Sequence, residues 1–280
     1  MQKIVTPYHK SASSSAHRLS WMSDNRLHGW LRRLSGVVMP LLILGLWQFV
    51  TVSGLIDRFL VPPPAAVAAK FVDVLADGTL WFHTRTTMVE VLLGLAAGLF
   101  IGTSLGYAIA KSRLLEDLLT PVIVVFQSTP IVAYAPLLVI WFGSGMESKV
   151  VTSTLIVFFP MLMNTIVGIR SVPLELRDLM KVSQATWWQT FTRLELPAAM
   201  PVLLTGLKTS ATLAVIGAVV GEFIVAKAGL GFWMNVARQQ YDTPLVYVAV
   251  IVMALMAGML FLAVSLLERY FLAWQRQNGL

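Results

Sequence analysis

Long apolar runs separated by short polar stretches dominate the chain. At roughly 20 residues per crossing, six of them are long enough to span a membrane: about 34–53, 86–110, 118–142, 149–168, 199–221 and 244–267. Between the first two, Phe59–Pro64 reads FLVPPP, an extended turn, because consecutive prolines cannot sit inside a helix. Residues 65–77 then predict a short surface helix, with Val67, Phe71, Val74 and Leu75 on one face and Lys70, Asp73 and Asp77 elsewhere. The second span carries Gly94, Gly98, Gly102 and Gly106 at a constant spacing of four. Such a stripe lets another helix approach closely, which replaces the hydrophobic drive that lipid does not supply.

The third span holds Pro121, Pro130 and Pro136, with Gln127, Ser128 and Thr129 near its middle. Freed carbonyls and polar side chains at membrane depth belong against protein or beside a cavity. This stretch is therefore the first candidate lining of a path, joined by Asn164, which lies beyond Pro160 in the fourth span. Hydrogen bonding between helices, without solute contact, explains the same four residues equally well. Lys208 in the fifth span either faces a cavity or snorkels to the nearer surface, and both readings stand. A loop with a Gly229–Gly231 turn is expected over 222–243.

One polar, charged stretch interrupts this alternation, Leu176–Pro201. Its pattern predicts two short helices. Leu176, Leu179, Met180 and Ser183 share a side of the first, and Trp187, Trp188, Phe191 and Leu194 form an aromatic face on the second. Thr186 is placed to cap the second helix, with Gln189 as its capping-box partner. Pro197 and Pro201 are expected to break or reset the chain before the fifth span. A loop resting on lipid headgroups and a surface offered to a protein both fit this composition.

Composition narrows the class. With 57% hydrophobic and 12% charged residues, and a mean hydropathy of +0.74, the chain is outside the range of a soluble domain. It has no cysteine, which excludes disulfides and thiolate chemistry, and His9, His17, His28 and His83 lack ligand spacing for a metal. The formal charge of +7 would suit nucleic acid in a soluble protein. Here the basic residues border apolar runs, so they are topological, and no nucleic-acid partner is expected. With six spans and the N-terminus inside, fourteen Lys and Arg fall on the inner side and six outside, leaving Lys208 within a span. That bias predicts cytoplasmic tails at 1–33 and 269–280, a membrane domain over 34–268, and the polar loop 174–197 in the cytoplasm. A Ser-rich run at 11–15 predicts a flexible start, and residues 26–35 an interfacial helix.

From about residue 41 to 267 the chain resembles the permease subunit of bacterial ABC importers, in the branch serving nitrate, sulfonate, taurine and thiamine-precursor uptake. The resemblance lies in FLVPPP, in Gln127–Gly145, in Gly206–Met234 and in the polar loop. In that family the loop runs from Glu-Ala-Ala through a glycine to an Ile-x-Leu-Pro ending. Ala185–Gln189 matches the stretch after the glycine, and Leu194 to Pro197 the ending. Asp178-Leu179-Met180 stands where Glu-Ala-Ala is usual. Gln184 replaces the glycine and gives up its easy left-handed turn. Gly206–Met234 is most similar to members proposed to carry pyrimidine thiamine precursors or riboflavin.

The resemblance implies an all-α transmembrane fold, a six-helix type I importer bundle with cytoplasmic coupling helices, in the bacterial inner membrane. It implies two copies of the permease, or this chain with a related one, two cytoplasmic ABC ATPases using ATP and Mg, and a periplasmic or lipid-anchored solute-binding protein. The permease itself is expected to be non-catalytic and to bind no cofactor; no Walker A sequence occurs in it. Docking is then expected at Asp178, Lys181, Gln184, Ala185, Thr186, Trp187, Trp188, Phe191 and Arg193. Glu222 matches the acidic residue of the family's Gly-Glu-Phe stretch and joins the path candidates. The competing reading is an ATP-independent carrier or channel. A proton-driven carrier needs a central carboxylate, and the predicted spans hold only Glu90, near an outer end.

Overall fold

The computed structural model describes residues 38–273, which form helices and their connections with no strand. The expected tails before residue 38 and after 273, with the interfacial helix at 26–35, lie outside the described residues. Residues up to Ala66 and those from Val67 onward are two units. In the first, α1 (Val38–Val52) is followed by a turn. There the Trp47 indole donates to the Pro62 carbonyl at 3.0 Å, and the Phe59 amide donates to the Asp57 carboxylate at 2.9 Å.

The following elements are α2 (Pro64–Ala76), α3 (Thr79–Lys111), α4 (Arg113–Ser128), α5 (Ile131–Phe142), α6 (Met146–Arg170), α7 (Leu174–Val182) and α8 (Trp187–Thr190). A π-helical turn (Phe191–Glu195) leads into α9 (Leu196–Ile224), followed by α10 (Leu230–Gln239) and α11 (Thr243–Phe271). Among the described residues, four continuous helices are long and apolar enough to cross a membrane: α3, α6, the helix from Trp187 to Ile224, and α11. The bent pair α4–α5 supplies a fifth crossing if it is one span.

Helix α6 is held between two glycine faces. On α3, a Cβ on Gly98 would lie 2.7 Å from that of Val157, and one on Gly106 would lie 2.8 Å from the Leu162 carbonyl. On α9, a Cβ on Gly206 would meet Asn164 at 2.7 Å and one on Gly217 would meet the Ser153 Cα at 2.5 Å. The Ser153 hydroxyl also donates across to the Ala214 carbonyl at 3.0 Å. Glycines therefore bring three backbones together where lipid offers no drive for association. The expected close partner of the α3 stripe is α6.

Four features depart from the sequence expectations. The third span is two helices meeting at 97°, because Thr129, preceding Pro130, is forced into extended geometry (φ −89°, ψ 127°). Pro121 and Pro136 instead sit inside helices. Pro197 and Pro201 do not break the chain, since the helix runs on from Trp187 to Ile224. The wide turn before Pro197, closed by the Leu196 amide on the Phe191 carbonyl, spreads the backbone where the proline ring would collide with the preceding turn. The loop expected over 222–243 contains α10, and Glu222 to Ile224 belong to α9. Finally, α3 starts seven residues before the predicted span, at Thr79. Asp77 caps it by accepting the Thr79 hydroxyl and amide at 2.6 and 2.9 Å, contacts that hold this carboxyl below its usual pKa.

Candidate functional site

The polar loop folds into α7, a tight turn, α8 and the π-turn. Helix α7 ends in a Schellman-type closure: the Ala185 amide donates to the Met180 carbonyl at 3.0 Å and the Gln184 amide to Lys181 at 2.9 Å. That closure needs a left-handed residue, and Gln184 adopts it with φ +52°. The left-handed turn that glycine would make easily is thus kept by a glutamine, at a cost of about 1 kcal/mol. Thr186 and Gln189 form the expected capping box, with bonds of 3.3 and 2.8 Å. Asp178 pairs with Lys181 on the exposed surface at 2.8 Å, a contact of little energetic weight.

The aromatic face is one cluster whose indoles remain open to solvent. Phe191 stacks on Trp187, with centroids 5.8 Å apart and planes at 8°, and both meet Tyr107 of α3 edge-on at 5.3 and 6.3 Å. Trp188 joins the cluster, with centroids 6.0 Å from Trp187 and 5.8 Å from Phe191, and the two indoles are 60% and 61% exposed. Leu174, Leu179 and Val182 of α7 are also exposed, whereas Ala185 is half-buried and Arg193 exposed.

Behind the rings sits Glu195, which is 1% exposed. Its carboxylate accepts from the Tyr107 hydroxyl at 3.0 Å and forms an ion pair with Lys111, both on α3. A cavity of about 300 Å³ separates these rings from α6; Thr103, Tyr107, Thr165, Ile169, Trp187 and Phe191 are among its lining residues. The sequence reading missed Glu195, Tyr107 and Lys111. A signal was present: one acidic residue in the apolar entry to a span must be paired.

The path candidates are not brought together. The Ser128 and Thr129 hydroxyls turn back to the Val124 and Val125 carbonyls of their own helix, and Gln127 is exposed. Asn164 donates to the Pro160 carbonyl at 2.8 Å and packs on Gly206. Lys208 forms an ion pair with Glu268 of α11 and lies over the Phe261 ring at 5.4 Å.

Glu222 lies at the end of the bundle opposite the polar loop and is 1% exposed. Its carboxylate accepts the Thr87 hydroxyl at 2.6 Å and the Gly231 amide at 2.5 Å. Thr87 in turn accepts the Leu230 amide at 2.8 Å, and His83 Nδ1 accepts the Gly229 amide at 3.1 Å. The His83 ring stacks on Trp233 with centroids 5.0 Å apart. Beside this network Lys149 donates to the Ser144 and Gly145 carbonyls, and Glu90 is 3% exposed. This end therefore fixes the α9–α10 turn to α3. Among the described residues, no group of three or more His, Asp or Glu side chains is arranged to hold a metal.

Comparison with known proteins gives a consistent result. Residues 94–277 match the family model described as the binding-protein-dependent transport system inner membrane component. The chain is 44% identical over 239 residues to the riboflavin transport system permease protein RibX of Chloroflexus aurantiacus, covering 85% of this chain and 89% of that one. It is 31% identical to the formylaminopyrimidine transport permease protein ThiX of Halalkalibacterium halodurans, covering 85% of this chain and 94% of that one. It is also 31% identical to the taurine transport system permease protein TauC of Escherichia coli, over 83% and 86% of the two chains. Among solved structures, a chain of the inward-facing MetNI methionine ABC transporter superposes with a TM-score of 0.57 at 19% identity, over 70% of this chain and 96% of that one. An amino acid ABC transporter chain gives 0.53 at 18% identity, over 72% and 96%. These two likenesses concern the fold alone.

Proposed function

The chain belongs to the family of binding-protein-dependent transport inner membrane components, and on that premise we propose how this ABC importer permease is assembled, oriented and driven. Two copies of the chain pair in the bacterial inner membrane, with both termini and the polar loop on the cytoplasmic side, as the Lys and Arg distribution favours. One cytoplasmic ATPase seats on the loop of each copy and uses ATP and Mg. The chain itself is non-catalytic and binds no cofactor. A periplasmic or lipid-anchored binding protein delivers solute at the opposite end.

One observation carries the docking reading: Trp187, Trp188 and the α7 residues Leu174, Leu179 and Val182 are exposed on a polar stretch whose second helix is continuous with α9. A rigid element with an outward indole suits an anchor in a partner's groove, since tryptophan is among the residues that dominate interface energies. Asp178, Lys181, Gln184, Thr186 and Arg193 would form the polar rim around it. Closure of the ATPases on ATP then tilts the helices and exchanges inward for outward access. The Glu222 network is assigned to the outer closure of the path. Gln127, Ser128, Thr129, Asn164 and Lys208 remain candidates for its sides. The solute is a small organic molecule or oxyanion. A flavin or pyrimidine heterocycle is the first to test, given the names of the RibX and ThiX relatives.

The test is reconstitution of the chain with its ATPase and binding protein, followed by ATP hydrolysis measured against candidate solutes. Stimulation by one solute class is expected. Trp188→Ala should weaken ATPase copurification by about 1–3 kcal/mol of docking energy. Full uptake by the chain in vesicles without any ATPase would instead establish an ATP-independent carrier.

A further inference from the structure

We propose that Glu195 is a positioning residue, the joint through which movement of the docked loop reaches α3 as well as α9. The inference rests on the reading above that the loop seats an ATPase. Continuity of the helix from Trp187 to Ile224 already carries loop movement into α9. Helix α3 has no such covalent connection to the loop and must be moved by contact.

The contacts are concentrated at one place. Both Glu195 oxygens are engaged by α3, one by the Tyr107 hydroxyl and the other by the Lys111 ammonium. Tyr107 and Lys111 are four residues apart and so lie on one face of α3. A single bond would act as a pivot, whereas two donors spaced one turn apart also fix the angle between the helices. The Trp187 and Phe191 rings add edge-on contacts to the same tyrosine. Towards α6 the arrangement differs, because the rings there face the cavity of about 300 Å³. At this level the rings leave space before α6, which the loop holds elsewhere through the Arg177 guanidinium on the Ile169 carbonyl.

Its place in the backbone supports the assignment. Glu195 is the last residue of the π-turn, the one irregular step in an otherwise regular helix. Such turns re-aim side chains and recur at functional positions. A buried carboxylate with two partners from another helix opposes separation of the two, because the carboxylate itself would be left desolvated without compensation. Glu195 is nevertheless absent from the exposed loop surface, so its role is to transmit, not to dock.

The experiment uses the full complex with its ATPase and binding protein. The readout is the ratio of ATP hydrolysis with solute-loaded binding protein to hydrolysis with empty binding protein. Glu195→Gln keeps the side-chain shape and removes the charge that Lys111 meets; Tyr107→Phe removes one bond and keeps the ring. In Glu195→Gln the ratio should fall by about tenfold, with a smaller fall in Tyr107→Phe, while ATPase copurification and melting temperature stay at the wild-type level. An unchanged ratio in both variants would overturn the proposal, and so would loss of copurification in either, which would make Glu195 part of the dock. Tyr107→Phe keeps the test decisive if Glu195→Gln fails to fold. If the wild-type chain itself retains no ATPase, the docking reading fails and takes this inference with it, a result recognisable in the control.

Discussion

The two ends of α9 solve one problem in different ways. Each buries a glutamate to 1% exposure, Glu195 at the loop end and Glu222 at the other, and each ties α9 to α3. Glu195 is satisfied by two side chains, Tyr107 and the partly exposed Lys111, beside a cavity. Glu222 is satisfied by the Thr87 hydroxyl and the Gly231 amide, in a turn held further by the Leu230 and Gly229 amides. The loop end thus joins the helices through two side chains that set their angle, and the opposite end holds one turn in register through backbone amides.

Substitutions can break this contrast, and the largest effect is expected at Glu222. Glu222→Ala strands the Gly231 amide and the Thr87 hydroxyl in a buried site, and should cost about 3 kcal/mol, read as a lowered unfolding midpoint of the purified chain in detergent. Gly229→Ala follows, at about 2 kcal/mol by the same assay, because φ +110° suits only glycine and an added Cβ would meet the Glu222 carboxyl. Glu195→Ala should cost less, about 1–2 kcal/mol, since Lys111 is 33% exposed at its side chain and can turn to water. A loss at Glu195 as large as that at Glu222 would remove the distinction between the ends. The smallest effect sharpens it: Gln184→Gly should stabilise the loop by about 0.5–1 kcal/mol, seen as slower hydrogen exchange at the Ala185 amide.

The legible parts of this molecule were those set by local pattern. Apolar runs gave the long helices, the four-residue glycine repeat gave the face that α6 occupies, and Thr186 with Gln189 gave the cap of α8. What stayed hidden depends on residues distant in sequence or on backbone compensation. The Tyr107–Glu195 and Thr87–Glu222 pairs join positions 88 and 135 residues apart, and no local period brings them into register. Pro197 reads as a break unless the preceding turn widens, and Gln184 reads as a lost left-handed turn unless the closure of α7 holds it there. The path candidates show the same limit. Gln127, Ser128 and Thr129 mark irregular backbone in the sequence, yet two of the three hydroxyl or amide groups bond within their own helix.

The seating of α6 has a consequence for the route of the cargo. Where Gly98, Gly106, Gly206 and Gly217 meet it, a single added methyl would collide. At those levels the three-ply plate leaves no crevice, and the opening of about 300 Å³ among the same helices lies beside the polar loop. Variants that alter selectivity are therefore expected to map away from these glycine contacts and to leave the ply untouched.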